Sequence, residues 1–155
     1  MKSKEILTKQ MILDFLSRHK LMAVATYGEH PWIATVYYAF DKNLNIYFLS
    51  SPTTLHAKNI LKNPKVAIAI AGSDQNINKP KRGLQLYGNA KQISGFEKVK
   101  YALRLWKINL GVVDPALTVK AATESMFKIT PKRIKLFDQK LFKVPDGEEP
   151  VLELR

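Results

Sequence analysis

The sequence predicts a mainly β domain with some α, in which about six strands form an antiparallel barrel or sandwich with helices at its rim. Short runs of branched and aromatic residues alternate with turns rich in glycine, proline and asparagine, which is the pattern of strands. Helical periodicity is confined to a few segments. The connections between the first three predicted strands are too short for parallel pairing, so these strands form hairpins. Each element follows from its own local pattern.

The first third of the chain predicts one helix and three sequential antiparallel strands. Residues 4–19 place apolar side chains at near-helical spacing between charges, which indicates an amphipathic helix. The expected strands are Leu21 to Tyr27, Trp32 to Phe40 and Leu44 to Leu49. Gly28 to Pro31 supplies the turn of a hairpin, and Asp41 to Asn43 supplies the next tight turn.

The stretch from Asn45 to Ala71 reads as a strand, a polar turn, a short helix and a second strand. Hydroxyl side chains in the turn offer several possible N-caps for a helix over roughly Thr54 to Lys62. The helix is expected to end at Lys62, because Asn63-Pro64 follows and a residue before proline avoids the helical region. The residues expected to face the core are Leu55, Ile60 and Leu61.

Glycine, proline and polar residues mark where the later predicted strands end or are interrupted. A strand from Lys65 to Ala71 is followed by a polar loop and by a strand from Gly83 to Ser94. Gly88 predicts a bulge in that strand. Two strand halves, 125–129 and 133–137, flank Pro131, which implies an edge position or a break in pairing.

Two further helices are predicted between these strands. Ser94 is expected to cap a helix from Phe96 to Leu110, which Gly111 ends. The face expected to pack on the core contains Phe96, Val99, Leu103 and Trp106. A short helix is expected from Asp114-Pro115 to about Thr123. The tail, residues 139–155, is expected to be partly disordered or packed on a partner.

The composition indicates one domain, residues 1–155, with a strong positive charge. Its length is sufficient to bury a core. The absence of cysteine excludes disulfides, thiolate metal sites and a cysteine nucleophile. The net charge of +12 comes from scattered lysines, a pattern more typical of a solvated surface than of a nucleic-acid footprint. Because neither a signal peptide nor a membrane span is predicted, we expect a cytoplasmic protein.

A candidate anion site precedes the central helix. Ser50, Ser51 and Thr54 place hydroxyls beside unpaired backbone N–H groups and the positive end of the helix dipole. His56 and Lys58 lie in the first turn and would add hydrogen-bond donors or charge. An ordinary capped helix after a strand has the same sequence pattern, so both interpretations stay open at this point.

Four segments carry a family pattern in a fixed order. They are the hairpin LMAVATYGEHPWIATVYYAF, the strand–turn–helix IYFLSSPTTLHAKNILKNPKVAIAI, the strand RGLQLYGNAKQI and the closing strands FKITPKRIKLF. Together they resemble the flavin-binding split barrels related to pyridoxamine 5′-phosphate oxidase, over roughly residues 20–140. The resemblance implies a six-stranded antiparallel split β-barrel with peripheral helices.

The resemblance further implies a homodimer with flavin mononucleotide (FMN) at its interface. The residues implied to face its phosphate and ribityl chain are Ser50, Ser51, Thr54, His56 and Lys58. The residues implied to contact its ring are Ala34, Thr35, Val36 and Gln85. The oxidases proper carry arginine and lysine where this sequence has Ala34, Ala39, Leu55 and His56. The likeness is therefore to a branch other than the oxidases proper, and vitamin B6 oxidation is not expected.

The leading hypothesis is an FMN-dependent oxidoreductase whose substrate and catalytic residues the sequence does not identify. In such a protein the cofactor carries the chemistry, so no catalytic constellation is required. The histidines show no ligand spacing, and no metal site is expected. Two alternatives stay open: a non-catalytic basic module that binds nucleic acid, and a split barrel that holds haem or a deazaflavin instead.

Overall fold

The computed structural model describes residues 6–154 and shows one antiparallel sheet with helices around it. The helices are α1 (Lys9–Ser17), α2 (Leu55–Lys62), α3 (Phe96–Leu110) and α4 (Val119–Ala122). The strands are β1 (Leu21–Tyr27), β2 (Pro31–Tyr37), β3 (Ala39–Phe40), β4 (Ile46–Leu49), β5 (Lys65–Ile70), β6 (Arg82–Gln92), β7 (Met126–Asp138) and β8 (Val151–Glu153). Among residues 6–154, no helix has the length and apolar character that a membrane crossing requires.

The sheet closes on itself through a single bent segment. Seven strands follow one hydrogen-bonded path in the order β2-β1-β5-β6-β7-β4-β3, and the short β8 pairs with β7 beside it. β2 and β3 form one segment interrupted only at Tyr38, and they pair with β1 and β4 at opposite ends of the path. Counted as one bent strand, this segment gives the six strands of the expected split barrel. The fold-class prediction is therefore confirmed, with β8 as an addition.

Alternate residues of the strands fill the barrel. On β5, Val66, Ile68 and Ile70 are buried while their neighbours are exposed, as expected for a sheet with one packed face. Phe48 of β4 and Phe127 of β7 stack with ring centroids 5.2 Å apart at the centre of the core. The alternation decides which strand residues line the interior and which are available to ligands or partners.

β7 is one continuous strand rather than the two halves that the sequence predicted. Its pairing with β6 slips by one residue between Tyr87 and Gly88, opposite Pro131. A Cβ on Gly88 would lie 2.2 Å from the Thr130 carbonyl oxygen, so only glycine allows this close backbone approach. The irregularity predicted at Gly88 is confirmed, but the extra residue is Lys132, so the bulge lies in β7 and not in β6. Proline is tolerated inside the strand because it lies beside this bulge.

Threonine hydroxyls cap three of the helices. Thr8, Thr54 and Thr118 each accept a hydrogen bond from the backbone N–H three residues further on. Of the several possible caps in the turn before α2, Thr54 is the one that is used. The first helix starts later than predicted, after Thr8, and residues 4 and 5 of the predicted helix lie outside the described residues. The prediction that α4 starts at Asp114 is wrong, because that carboxylate accepts from the Ala116 N–H and closes a separate turn.

Some predictions about helix caps and helix faces are also wrong. Gly95, not Ser94, holds the cap position of α3, with φ of 95° and no side-chain hydrogen bond. Leu55, Leu61 and Phe96, which were expected in the core, are 49%, 52% and 64% exposed. On α2 the buried face passes through Ile60, and the next residue lies about 100° around the helix. The Phe96 ring instead lies under the Lys100 ammonium, 5.8 Å from the ring centroid.

The tail after β7 packs on its own chain. β4 covers only residues 126–129 of β7, which leaves the same edge free at residues 133–135. β8 pairs with that free edge, and Phe142 is buried on the way. The expectation of partial disorder is thus wrong where β8 and Phe142 pack on the sheet, while packing of the tail on a partner stays a prediction.

Candidate functional site

The hydroxyl turn, residues 50–54, leaves the end of β4 and enters α2 beside the start of β7. The Ser50 N–H donates to the Ser125 carbonyl at 2.8 Å, which fixes the first residue of the turn. The N–H and the hydroxyl of Thr54 both donate to the Ser51 carbonyl, at 3.1 and 2.8 Å. Backbone and side-chain bonds therefore hold the turn in one shape at the entrance to the helix.

Four of the residues named from the sequence come together in this turn. The Ser50 Oγ lies 2.7 Å from the Nε2 of His56, and the Thr54 Oγ1 lies 3.4 Å from the same nitrogen. The Ser51 Oγ lies 2.8 Å from the Thr53 Oγ1. Because these groups bond chiefly to one another, an anion that binds here has to replace or extend their hydrogen bonds.

His56 contributes a neutral imidazole. Burial lowers its pKa, since the charged form is the more costly one to remove from water. At neutral pH the ring therefore has one N–H donor and one acceptor, and the tautomer decides which of them faces Ser50. Within residues 6–154 the backbone N–H groups of Leu55 and His56 have no acceptor, and they lie at the positive end of the α2 dipole.

Charge is sparse around the hydroxyl turn. Lys58, the fifth residue implied to contact a phosphate, is exposed, and its side chain makes no hydrogen bond or ion pair in the described part of the chain. In the same part of the chain, no group of three or more His, Asp or Glu side chains could hold a metal ion. The turn thus offers hydrogen bonds from neutral donors and one solvated ammonium.

A buried amide, which sequence reasoning missed, positions α2 against β1. The Asn59 Nδ2 donates to the Thr26 Oγ1 at 3.1 Å, and both residues are buried. A Cβ on Gly28 would lie 2.3 Å from the Asn59 Oδ1, so glycine is required beside this amide. Asn59 lies one turn after His56 and shows no sequence signal of its own. A polar residue on the core-facing side of a predicted helix is the signal that could have indicated it.

The residues implied to contact a flavin ring lie on both faces of the sheet. Ala34 and Val36 are half-buried and point into the barrel, whereas Thr35 points outward and is exposed. Gln85 also points outward, in a register row that runs from Thr35 through Ala23 and Ala69. Three strand spacings, roughly 14 Å, separate the Thr35 and Gln85 backbones. The structure therefore does not bring Gln85 next to Thr35 within one chain.

The outer surface of β1, β2, β5 and β6 is apolar and built on small residues. We call it the alanine face, and it consists of Ala23, Ala25, Ala67 and Ala69 with Leu21, Ile33, Tyr37 and Tyr87 around them. The four surrounding side chains are 47%, 67%, 55% and 47% exposed, in that order. A continuous apolar patch of this kind is typical of a protein–protein interface.

Comparison with known proteins links this geometry to a family. Residues 8–138 match the pyridoxamine 5′-phosphate oxidase family. A UPF0306 protein from Yersinia pseudotuberculosis (serotype O:3, strain YPIII) is 29% identical over 108 residues, which are 60% of this chain and 73% of that protein.

Solved structures share the architecture. A haem-binding protein from Mycobacterium smegmatis has a TM-score of 0.67 and 18% identity, and the match covers 89% of this chain and 56% of that chain. An FAD-binding protein from Mesorhizobium loti has a TM-score of 0.64 and 15% identity, over 83% of this chain and 90% of that chain. At these identities the likeness shows the fold alone. Together with the sequence match over most of its length, the fold shows that this chain belongs to the pyridoxamine 5′-phosphate oxidase-like family of split barrels.

Proposed function

We propose that the protein binds FMN and acts as a flavin-dependent oxidoreductase on a small organic substrate. The observation that carries the proposal is the convergence of Ser50, Ser51, Thr54 and His56 on free N–H groups at the start of α2, in a chain of this family. A helix start of this kind suits a phosphate group. The fold shared with an FAD-binding protein supports a flavin as the class of cofactor.

The phosphate of FMN would be held by neutral donors. Under this proposal it receives hydrogen bonds from the Leu55 and His56 N–H groups and from the Ser51 hydroxyl, which is exposed and bonded only to Thr53 nearby. Lys58 adds charge from solvent. Because the turn contains no arginine, we expect micromolar affinity rather than the tighter binding that a bidentate guanidinium gives.

A second copy of the chain would complete the site. In this proposal two alanine faces pack together, and the small side chains of Ala67 and Ala69 let the two sheets approach closely. A ring that lies along Ala34, Thr35 and Val36 of one protomer then meets Gln85 of the other. This arrangement accounts for the distance between Thr35 and Gln85 within one chain and for the apolar face beside them.

The chain's own residues have a limited part in the chemistry. Bound FMN would supply hydride transfer to or from its ring, with a reduced nicotinamide or a small organic molecule as the other reactant. The hydroxyl turn binds and orients, the strand β2 supports one side of the ring, and the second copy excludes water. Catalytic side chains remain unassigned, and the cytoplasmic location remains a prediction from the sequence.

Haem is the second candidate cofactor, because a haem-binding protein shares the fold. The half-buried imidazole of His56 would be the iron ligand to test, but its Nε2 is already bonded to Ser50 at 2.7 Å. A ligand role therefore requires that bond to break. The neutral hydroxyl groups around the His56 imidazole favour a phosphate over a porphyrin at this turn.

A titration with two flavins tests the proposal. FMN and riboflavin have the same ring and differ in the phosphate, so the ratio of their affinities reports on the hydroxyl turn. We expect quenching of FMN fluorescence at micromolar protein and riboflavin binding about tenfold weaker or more. Equal affinities would show that the phosphate lies outside the turn. A Soret band without flavin binding would favour haem, and salt-sensitive oligonucleotide binding without flavin binding would favour the nucleic-acid module.

A further inference from the structure

A second pocket opens on the opposite face of β4 from the hydroxyl turn. This lysine cavity has a volume of about 300 Å³, and it is lined by Asp41, Asn43, Asn45, Tyr47, Lys91, Ile93, Lys98, Tyr101 and Lys128. Side chains alternate along a strand, so Tyr47 faces away from Phe48, whose ring lies 6.4 Å from the His56 ring. The lysine cavity is therefore distinct from the proposed flavin phosphate site, and its volume is at the lower end for small-molecule sites.

Three lysines from three elements line the lysine cavity. Lys91 of β6 is the register partner of Lys128 of β7, which is in turn the partner of Tyr47 of β4. Like charges directly opposite each other on neighbouring strands destabilise a sheet. Lys98 comes from the first turn of α3, with Tyr101 three residues on and so on the same side of the helix. Three positive side chains around one cavity repel one another unless an anion offsets their charge.

The lining contains one carboxylate for the three lysines, so positive charge is left in excess. Asp41 is the acidic residue in the lining, and its carboxylate accepts from the N–H of Asn43, the N–H and Nδ2 of Asn45, and the Tyr47 hydroxyl. Burial, and then the charge of Asp41, raise the pKa of Tyr47, so its hydroxyl keeps the proton that it donates. The ion pairs within residues 6–154 involve other residues, and none joins a lysine of this cavity to a carboxylate.

We propose that the lysine cavity binds a small molecule that carries a phosphate group, which Lys91, Lys98 and Lys128 hold. A phosphate has several equivalent charged oxygens and suits point charges that approach from different directions, as lysine ammoniums do here. Tyr101 is half-exposed and lies edge-on to Tyr47, with ring centroids 6.3 Å apart, so it offers an aromatic wall to the organic part of the ligand. The proposal is independent of flavin binding, since it rests on other residues and another face of β4.

Calorimetric titration with inorganic phosphate at low ionic strength tests the proposal. Lys91→Gln combined with Lys128→Gln removes two of the three charges, and we expect phosphate affinity to fall roughly tenfold or more. The matched control, Lys100→Gln with Lys120→Gln, removes two exposed lysines outside the cavity and should leave the affinity within about twofold. All proteins in the series also carry Ser51→Ala and His56→Ala, so that the hydroxyl turn does not contribute.

Urea unfolding and citrate titration distinguish loss of the site from loss of the fold and from unspecific anion binding. Urea unfolding should give the cavity variant a midpoint equal to or above that of its parent, because the cross-strand repulsion is gone. Equal phosphate affinity in the folded cavity variant and in the control would overturn the proposal. Citrate that binds more tightly than phosphate would overturn the choice of a phosphate group, while weaker citrate binding supports it.

Discussion

The hydroxyl turn and the lysine cavity lie on opposite faces of β4 and are suited to anions in different ways. The turn offers hydroxyls, a neutral imidazole and the N–H groups of a helix start. The cavity offers three lysines and one carboxylate, Asp41, which accepts hydrogen bonds from neutral donors. Directional neutral donors depend on precise geometry, whereas ammonium charges act over a longer range and are screened by salt. Anion binding at the cavity should therefore weaken more steeply as ionic strength rises.

The two regions are also encoded differently. The hydroxyl turn and the His56 imidazole together come from seven consecutive residues, 50–56, so local pattern suffices to find them. The lysines of the cavity come from β6, α3 and β7, and only the register of the strands makes Lys91 and Lys128 neighbours. Variants that disturb one region and leave the other intact therefore separate their contributions.

Ala69→Glu should have the largest effect, since it places a carboxylate at the centre of the alanine face between Ala23 and Gln85. If that face is the homodimer interface, each copy buries an unpaired charge, at a cost of about 3 kcal/mol or more. Analytical ultracentrifugation should show a monomer, and FMN binding should be lost with the dimer. Phosphate affinity at the lysine cavity should not change.

The control for the interface variant is Ala121→Glu, which makes the same substitution at an exposed position of α4. It should leave the assembly and FMN binding as in the parent protein. A dimer that persists in Ala69→Glu would show that the two copies meet on another surface.

Gly28→Ala should disturb the hydroxyl turn through the position of α2. The new Cβ would lie 2.3 Å from the Asn59 Oδ1 and displace the amide that bonds to Thr26. Loss of a buried hydrogen bond with local strain should lower the free energy of unfolding by about 2 kcal/mol. Urea unfolding measures this, and FMN titration should show weaker binding while phosphate binding at the cavity is kept.

The matched test uses Asn59→Ala as a second background. If the clash with the amide is the cause, Gly28→Ala should cost much less in that background than in the native protein. The same cost in both backgrounds would locate the effect in the β1–β2 turn rather than in α2.

Local chemistry explains which parts of the fold were predictable. The strand Leu21–Tyr27 and the helix Phe96–Leu110 were predicted at their exact bounds, because apolar runs and the left-handed Gly111 mark them in sequence. The irregularity at Gly88 was likewise predictable from a glycine inside a strand pattern. Features that depend on residues far away in the sequence were not predictable. Pro131 looked like a strand break because its pairing partner, Gly88, lies more than forty residues earlier in the chain.

The same limit applies to the candidate site. Ser50, Ser51, Thr54 and His56 were recognised because the turn and helix contain them all, and their contacts in the structure are local. Asn59 was missed because its partner, Thr26, is thirty-three residues away. Leu55 was expected in the core on helical spacing, yet the face that α2 buries is fixed by how Asn59 docks on β1, which the sequence alone does not show.

Ser51→Ala combined with His56→Ala should weaken FMN binding more than tenfold, which corresponds to about 1.4 kcal/mol or more. The variant removes one hydroxyl and the imidazole that holds another, while the helix N–H groups remain. Riboflavin affinity should change little, because riboflavin has no phosphate. A control with Ser94→Ala and His30→Ala removes the same two residue types at exposed positions and should keep FMN affinity. Unchanged FMN affinity in the first variant would mean that the phosphate is bound elsewhere.

The smallest expected effect is a pH dependence of stability that arises at the hydroxyl turn and not at the lysine cavity, whose lining contains no histidine. Burial holds the pKa of His56 in the folded protein below its ordinary value of 6.5, so between those two values the unfolded chain binds more protons. The contribution to stability is therefore complete above about pH 6.5 and is lost as the pH falls toward the folded pKa.

Urea unfolding between pH 7 and pH 5 should show this loss of stability, and His56→Gln should reduce it. Burial also lowers the pKa of His19, so part of the slope should remain in that variant. A slope identical in His56→Gln and the native protein would mean that the imidazole is solvated, and then the turn would be open to water rather than closed by the bond between Ser50 and His56.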